Sequence, residues 1–301
     1  MRIISLLPSL TEILAVLHLE AETVGVTHEC DYPDSARMKP RLTSSSIDAS
    51  ASSASIETQV KARFEKADGL YALDTETFKA LKPDLVLTQK LCDVCAVSYP
   101  LVERVVATLN PRPQLLSVEP TSLEEMYESI QAIAQAAGYP ERAIKVIAHL
   151  RQRVAQVVEK VRPLPPVKVA LLEWIEPLYS AGQWNPELVH LAGGIPMNVT
   201  SAPSHRMDWD SLVDFDPEVI LVMPCGFSLE RTIQEMPILA AHPAWPKLKA
   251  VQNRRVYAAD GNSYFNRPGP RLVDSLEIVA EVIHPEIFQR LAPKNSFAHY
   301  S

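Results

Sequence analysis

Short, fully apolar runs rich in Ile, Val and Leu alternate along this chain with longer segments in which apolar residues recur every three or four positions. The first pattern fits strands covered on both faces and the second fits amphipathic helices. Their alternation predicts an α/β fold built on parallel sheets. In the first part the predicted strands are Arg2–Leu7, Thr23–Thr27, Leu85–Gln89 and Gln114–Val118. In the second they are Val167–Glu173, Ile195–Val199, Val219–Met223 and Arg255–Ala259. The two series run in step. Leu81-Lys82-Pro83-Asp84-Leu85-Val86-Leu87 matches Phe215-Asp216-Pro217-Glu218-Val219-Ile220-Leu221, each reading as a helix stopped by proline and followed by a buried strand. A weak internal duplication into two Rossmann-like lobes is the simplest account.

Between the halves, Ile144, Ile147, Leu150, Val154, Val157 or Val158, and Val161 recur at helical spacing. Pro140 suits a first helical turn, and Pro163 with Pro165-Pro166 stops the helix. A rod from Pro140 to Arg162 would span about 33 Å at 1.5 Å per residue. The expected organisation is therefore an α/β lobe over residues 1–138, a linking helix over 139–163 and a second α/β lobe over 164–301. The tract from Thr43 to Ser55 is rich in Ser and Ala without an apolar period and reads as a loop or insertion.

A chain of 301 residues exceeds what one hydrophobic core usually serves, in keeping with two lobes. With 47% hydrophobic and 22% charged residues, disordered and coiled-coil classes are excluded. The net charge of −7, with no basic run, disfavours nucleic acid or an anionic membrane surface as partner. No apolar stretch approaches the ~18 residues of a membrane span. Glu12 interrupts the only apolar N-terminal run, so residues 1–16 read as a first strand and helix rather than a signal peptide. The expected compartment is the cytoplasm, or the periplasm if the natural N-terminus lies upstream. Four cysteines are too few for a disulfide scaffold.

Ligands of open α/β sheets bind beyond the carboxyl ends of the strands. Strand one leads into Ser9-Leu10-Thr11-Glu12, a capping-box pattern. Strand two leads into His28-Glu29-Cys30-Asp31-Tyr32-Pro33, and the third into Lys90-Leu91-Cys92-Asp93-Val94-Cys95. In the second half the strand ends lead into Trp174 and Gly182-Gln183-Trp184, into Pro224-Cys225-Gly226-Phe227, and into Asp260-Gly261-Asn262-Ser263-Tyr264-Phe265-Asn266-Arg267. The candidate ligand-binding residues are Ser9, Thr11, Glu29, Cys30, Asp31, Tyr32, Gln89, Cys92, Cys95, Trp174, Gln183, Trp184, Cys225, Gly226, Phe227, Asn262, Tyr264, Phe265 and Arg267.

All four cysteines, Cys30, Cys92, Cys95 and Cys225, fall at strand ends and are candidate ligands for zinc or another thiophilic metal. His28 with Cys30, Cys92 and Cys95 is a candidate mixed site. Cys92-x-x-Cys95 alone lacks the second close pair of a structural zinc site. It also stands apart from the helix expected to start near Ser98, so the helix dipole does little to activate it. Glu29, Asp31, Glu173 and Asp260 are carboxylates within reach of the same loops. Arg267 and Arg271 would hold an anionic group or pair with Asp260 and Asp274. No nucleophile elbow, phosphate-binding loop or dinucleotide fingerprint occurs.

Several of these phrases resemble the cobalamin-binding, periplasmic-binding-protein-like family, in the group that handles iron-siderophores, haem and vitamin B12. They are Arg2–Glu12, Val24–Pro33, Thr88–Ser98, Met223–Phe227 and Asp260–Arg271, spread over nearly the whole chain. The resemblance implies two lobes joined by one long helix, a ligand held in the cleft between them, and delivery to the permease of an ABC importer. It also implies binding without catalysis.

The residues leave three readings open. One is a binding protein for cobalamin or a related corrinoid or metal chelate, with aromatics stacking on the ligand. Another is a thiolate metal-delivery protein, and the third is a thiol enzyme acting on the bound ligand.

Overall fold

The computed structural model describes residues 1–65, 70–90, 97–198 and 202–300. The chain folds into two compact units. One comprises Met1–Ser50, Thr58–Pro120 and Glu124–His149; the other comprises Ala51–Glu57, Thr121–Leu123 and Leu150–Ser301.

The first unit contains β1 (Ile3–Ser5), β2 (Thr23–Gly25), β3 (Thr43–Ser45), β4 (Tyr71–Leu73), β5 (Leu85–Thr88) and β6 (Gln114–Ser117). Four of them form an all-parallel sheet in the order β2-β1-β5-β6. Every residue of β1 and β5 is buried, which is why these strands read as unbroken apolar runs rather than as an alternation. Ile4, Leu6, Leu42, Phe78, Val86 and Val102 are among the core residues of this unit.

The tract expected as a loop is partly ordered. β3 pairs antiparallel with β4, and a helix runs over Ser53–Glu65. Of β3 only Thr43 is buried, so the strand is specified by its ladder rather than by an apolar pattern. The expected capping box does not form either. The first helix, Pro8–Val16, starts two residues earlier than the pattern requires, with Pro8 in its first turn and Leu7 as an N-cap without side-chain bonding.

The second unit contains β7 (Val167–Trp174), β8 (Tyr179–Ser180), β9 (Gly194–Pro196), β10 (His205–Arg206), β11 (Val219–Val222), β12 (Val256–Ala259) and β13 (Phe297–His299). The sheet order is β10-β8-β7-β11-β12-β13, with β9 beside the first half of β7. The centre β7-β11-β12 is parallel as expected, but β8, β10 and β13 join antiparallel, so this sheet is mixed. Those added strands are two or three residues long, too short to show a period.

The duplicated corner is visible in the backbone. Asp74 caps the helix Thr75–Ala80 by accepting from the Thr77 N–H, and Asp208 caps Trp209–Phe215 by accepting from the Ser211 N–H. The two helices end in left-handed residues, Lys82 at φ 43° and Asp216 at φ 46°, each followed by proline and then by β5 or β11. A left-handed residue frees the chain from the helix, and the proline prevents its resumption. Both strands then enter the middle of their sheet, β5 between β1 and β6 and β11 between β7 and β12.

The periodic segment between the halves is a helix over Pro140–Val161. Its residues to His149 belong to the first unit and those from Leu150 to the second. The buried positions are Ala143, Leu150, Val157 and Val161, whereas Ile144 is 70% exposed. Ile144 therefore departs from the expected stripe, because one residue of helix rotates it ~100° away from Ala143.

Arg153 fixes this helix to Leu272–Ile283. Its guanidinium donates to Glu277 at 2.9 and 2.6 Å and to Asp274 at 2.5 Å. Asp274 is thus committed to Arg153 and not to Arg271. Burial works against the charge, but the hydrogen bonds and negative charges of Glu277 and Asp274 overcome it and hold the guanidinium protonated more firmly than usual. Removing the cation would leave two partly buried carboxylates facing each other. Arg153→Met should destabilise the chain by about 2 kcal/mol, less than a fully buried pair because the site is part-exposed. Urea unfolding of variant and parent measures the difference.

Candidate functional site

In the second unit, the loops leaving β7, β11 and β12 meet. The Cys225 N–H donates to the Glu173 carbonyl at 3.1 Å, and the Asn262 N–H donates to the Phe227 carbonyl at 3.0 Å. Residues 224–227 form a turn closed by Phe227 N–H to Pro224 O, with Gly226 at φ 76° supplying the left-handed residue. That turn sets exposed Cys225 at its tip and packs the Phe227 ring 5.3 Å from the half-buried Trp174 indole. The Arg231 guanidinium lies 5.0 Å over the same Phe227 ring. Asp260 accepts from the Ser263 N–H at 2.7 Å and so starts the helical turn Gly261–Phe265. Gly261 is required there, since a Cβ would collide with the Met223 and Pro224 carbonyls.

Two carboxyls beside these loops are displaced upward. Burial raises Glu173 despite hydrogen bonds from the Ser204 hydroxyl at 2.5 Å and from the Gly182 backbone. Burial likewise raises Asp260, against the opposing pull of Ser263, Arg267 and Arg271. Gly182 also donates to Ser204 Oγ at 3.0 Å, so one serine links the end of β7 to the strand beyond it.

In the first unit, Thr11 Oγ1 donates to Ser5 Oγ at 2.8 Å and lies 3.2 Å from the Cys30 sulfur, with the Thr27 hydroxyl 3.1 Å away on another side. Arg41 donates to the Thr27 and Cys30 carbonyls, both at 2.7 Å. His28 Nδ1 is 2.7 Å from Thr43 Oγ1, and its ring packs 5.6 Å from Tyr71. Burial lowers the His28 pKa, and nearby Arg41 lowers it further.

The expected site residues therefore divide. Ser9, Thr11 and Gln89 are buried, Glu29 and Tyr32 are exposed, and Asp31 is half-buried. Trp174, Gln183, Asn262 and Tyr264 are half-buried at strand ends. Four residues expected to line the ligand are core instead, Phe227 among them at 3% exposure. Trp184 is 6% exposed and bonds its indole N–H to the Phe265 carbonyl at 2.9 Å, Phe265 is fully buried, and Cys30 is fully buried among threonines. A ring with no open face has nothing to stack with, so Trp184 and Phe265 hold the loop rather than the ligand. Arg267 is also buried and donates to Asn262 Oδ1 at 2.9 Å. Cys92 and Cys95 lie outside the described residues. Among the described residues, no group of three or more His, Cys, Asp or Glu side chains could hold a metal ion.

Thr43, Tyr71, Arg41 and Ser204 were not singled out from the sequence. They reach their partners only through strand pairing between segments distant in the chain.

Two parallel-centred α/β units with chemistry gathered at strand ends define a ligand-binding class of fold. The profile of the periplasmic binding protein family matches residues 3–262, and the chain belongs to that family. It is 24% identical to an ABC transporter substrate-binding lipoprotein of Bacillus subtilis, YvrC, over 96% of this chain and 81% of that protein. It is also 24% identical to a vitamin B12-binding protein of Vibrio cholerae, over 92% of this chain and 87% of that protein. The solved periplasmic heme-binding protein RhuT of Roseiflexus shares the fold, with a TM-score of 0.72 at 22% identity, over 95% of this chain and 99% of that one. Among the described residues no helix is long and apolar enough to cross a membrane.

Two tests follow from the geometry. In a Cys92→Ser/Cys95→Ser background, a thiol reagent should modify exposed Cys225 at least about a hundred-fold faster than Cys30, whose reaction needs local opening. Equal rates would show that Cys30 is not core.

The second test concerns His284, which is buried and is held below its ordinary pKa by burial and by nearby Arg255, against the opposing pull of Glu286 and the Ala192 backbone. Below pH ~6.5 the unfolded chain takes up a proton that the folded chain refuses, so this residue costs stability as pH falls and costs nothing above that pH. Thermal unfolding at pH 7.5 and 5.5 should show the His284→Gln variant gaining on the parent at the lower pH.

Proposed function

We propose that this protein binds cobalamin or a related corrinoid without catalysing a reaction on it, as the substrate-binding component of an ABC importer. The reading rests first on the match to a vitamin B12-binding protein over nine-tenths of the chain. The Trp174–Phe227 pair adds to this, since it sets a part-open indole face at the carboxyl edge of the parallel strands β7 and β11. Such a face suits a large planar ligand, because stacking buries apolar area while the ligand's polar rim stays free to meet Asn262, Tyr264 and Gln183. The indole is held in place by its N–H bond to the Glu176 carbonyl at 3.2 Å.

Calorimetric titration of the reduced protein with aquacobalamin should give saturable one-to-one binding. Trp174→Ala should weaken that binding about ten-fold or more, equivalent to ~1.4 kcal/mol, and leave the melting temperature nearly unchanged. Trp184→Ala should instead lower the melting temperature, as loss of a buried tryptophan costs about 3–5 kcal/mol. No binding by the parent protein would overturn the reading, and an unaltered affinity in Trp174→Ala would remove Trp174 from the site.

A further inference from the structure

His28 follows β2 at the carboxyl edge of the first unit's sheet, and its side chain is 28% exposed. One hydroxyl holds both ends of the residue. Thr43 Oγ1 accepts the His28 backbone N–H at 3.2 Å and lies 2.7 Å from ring Nδ1. Thr43 is itself buried and fixed in the β3–β4 ladder, so the ring orientation is set by a rigid element. Tyr71, on β4, packs against one side of the ring at 46°. Nε2 stands 3.9 Å from Glu29 Oε1, beyond hydrogen-bond reach. Glu29 in turn accepts from the Tyr71 hydroxyl at 3.3 Å.

An imidazole in a partly exposed side chain, with one nitrogen tied to an inner acceptor and the other left for a further partner, is the arrangement that makes a metal ligand, since the tie fixes both tautomer and orientation. A bare ion would need several protein donors, and none of the described residues form such a group. A planar macrocycle that already supplies four donors to its metal needs only one more, along the axis. We infer that His28 Nδ1 carries the ring proton and donates it to Thr43, and that Nε2 is an axial ligand for the metal of a planar tetradentate macrocycle with an exchangeable axial position. The inference rests on the binding reading above and deepens it, by naming the protein atom that meets the metal.

The test is visible-absorption titration of the parent protein, His28→Gln and Thr43→Val with three probes. Diaquacobinamide is a corrinoid with no nucleotide base of its own, dicyanocobinamide has both axial positions blocked by cyanide, and ferric haem supplies the same chemistry on a different ring. Diaquacobinamide should bind the parent with the band shift of a nitrogen ligand replacing water. His28→Gln should bind it without the shift, and Thr43→Val should bind it about ten-fold more weakly. Dicyanocobinamide should bind parent and His28→Gln alike. A His28-dependent shift with haem alone would uphold axial ligation and overturn the corrinoid reading. Binding of diaquacobinamide with no shift, or with the same shift in His28→Gln, would overturn the axial role and leave the corrinoid reading intact. No binding of any probe would overturn both.

Discussion

A parallel strand in the middle of a covered sheet must be apolar on both faces and must satisfy every backbone donor and acceptor through its neighbours. β5 and β11 meet that demand in their respective units, each fully buried between two parallel partners. Parallel pairing has a further consequence: the parallel strands of each sheet finish at the same edge. The loops that leave Trp174, Val222 and Ala259 are therefore neighbours although far apart in sequence, and their backbones bond to one another. The candidate chemistry of each unit follows from this one constraint.

Within that edge, burial separates the residues that support from those that present. Trp184 and Phe265 are joined by an indole N–H bond and closed off from solvent, while Trp174 is half-buried against Phe227. Cys30 is held among Thr11 and Thr27, whereas Cys225 stands at the tip of a turn that a left-handed glycine makes possible. Side chains of the same type thus take opposite roles within one family of loops. The deciding quantity is whether neighbouring elements cover them, and no local pattern encodes it.

The same separation explains which parts of the molecule were readable in advance. The buried central strands, the long helix from Pro140 and the repeated helix–proline–strand corner all leave strong local signals: continuous apolar runs, a three-to-four period and proline in register. The short strands β3, β8, β10 and β13 leave none, because two or three residues at a sheet edge are specified by hydrogen bonding to a partner strand. Ile144 shows the limit even of a good period. An apolar residue at helical spacing is core only if another element packs over it, and at this position none does.

The amino-acid sequence by itself determined the α/β class and the repeated helix–proline–strand corner, because these follow from periodicity and proline placement within a few turns of chain. Only the tertiary structure decided that Thr43 orients His28, that Ser204 bonds to Glu173, that Arg153 takes Asp274, and that Trp184 is buried while Trp174 is only half-buried. Each of those outcomes joins segments brought together by strand or helix packing, and their energies depend on burial and direction, which a linear chain does not possess until it folds.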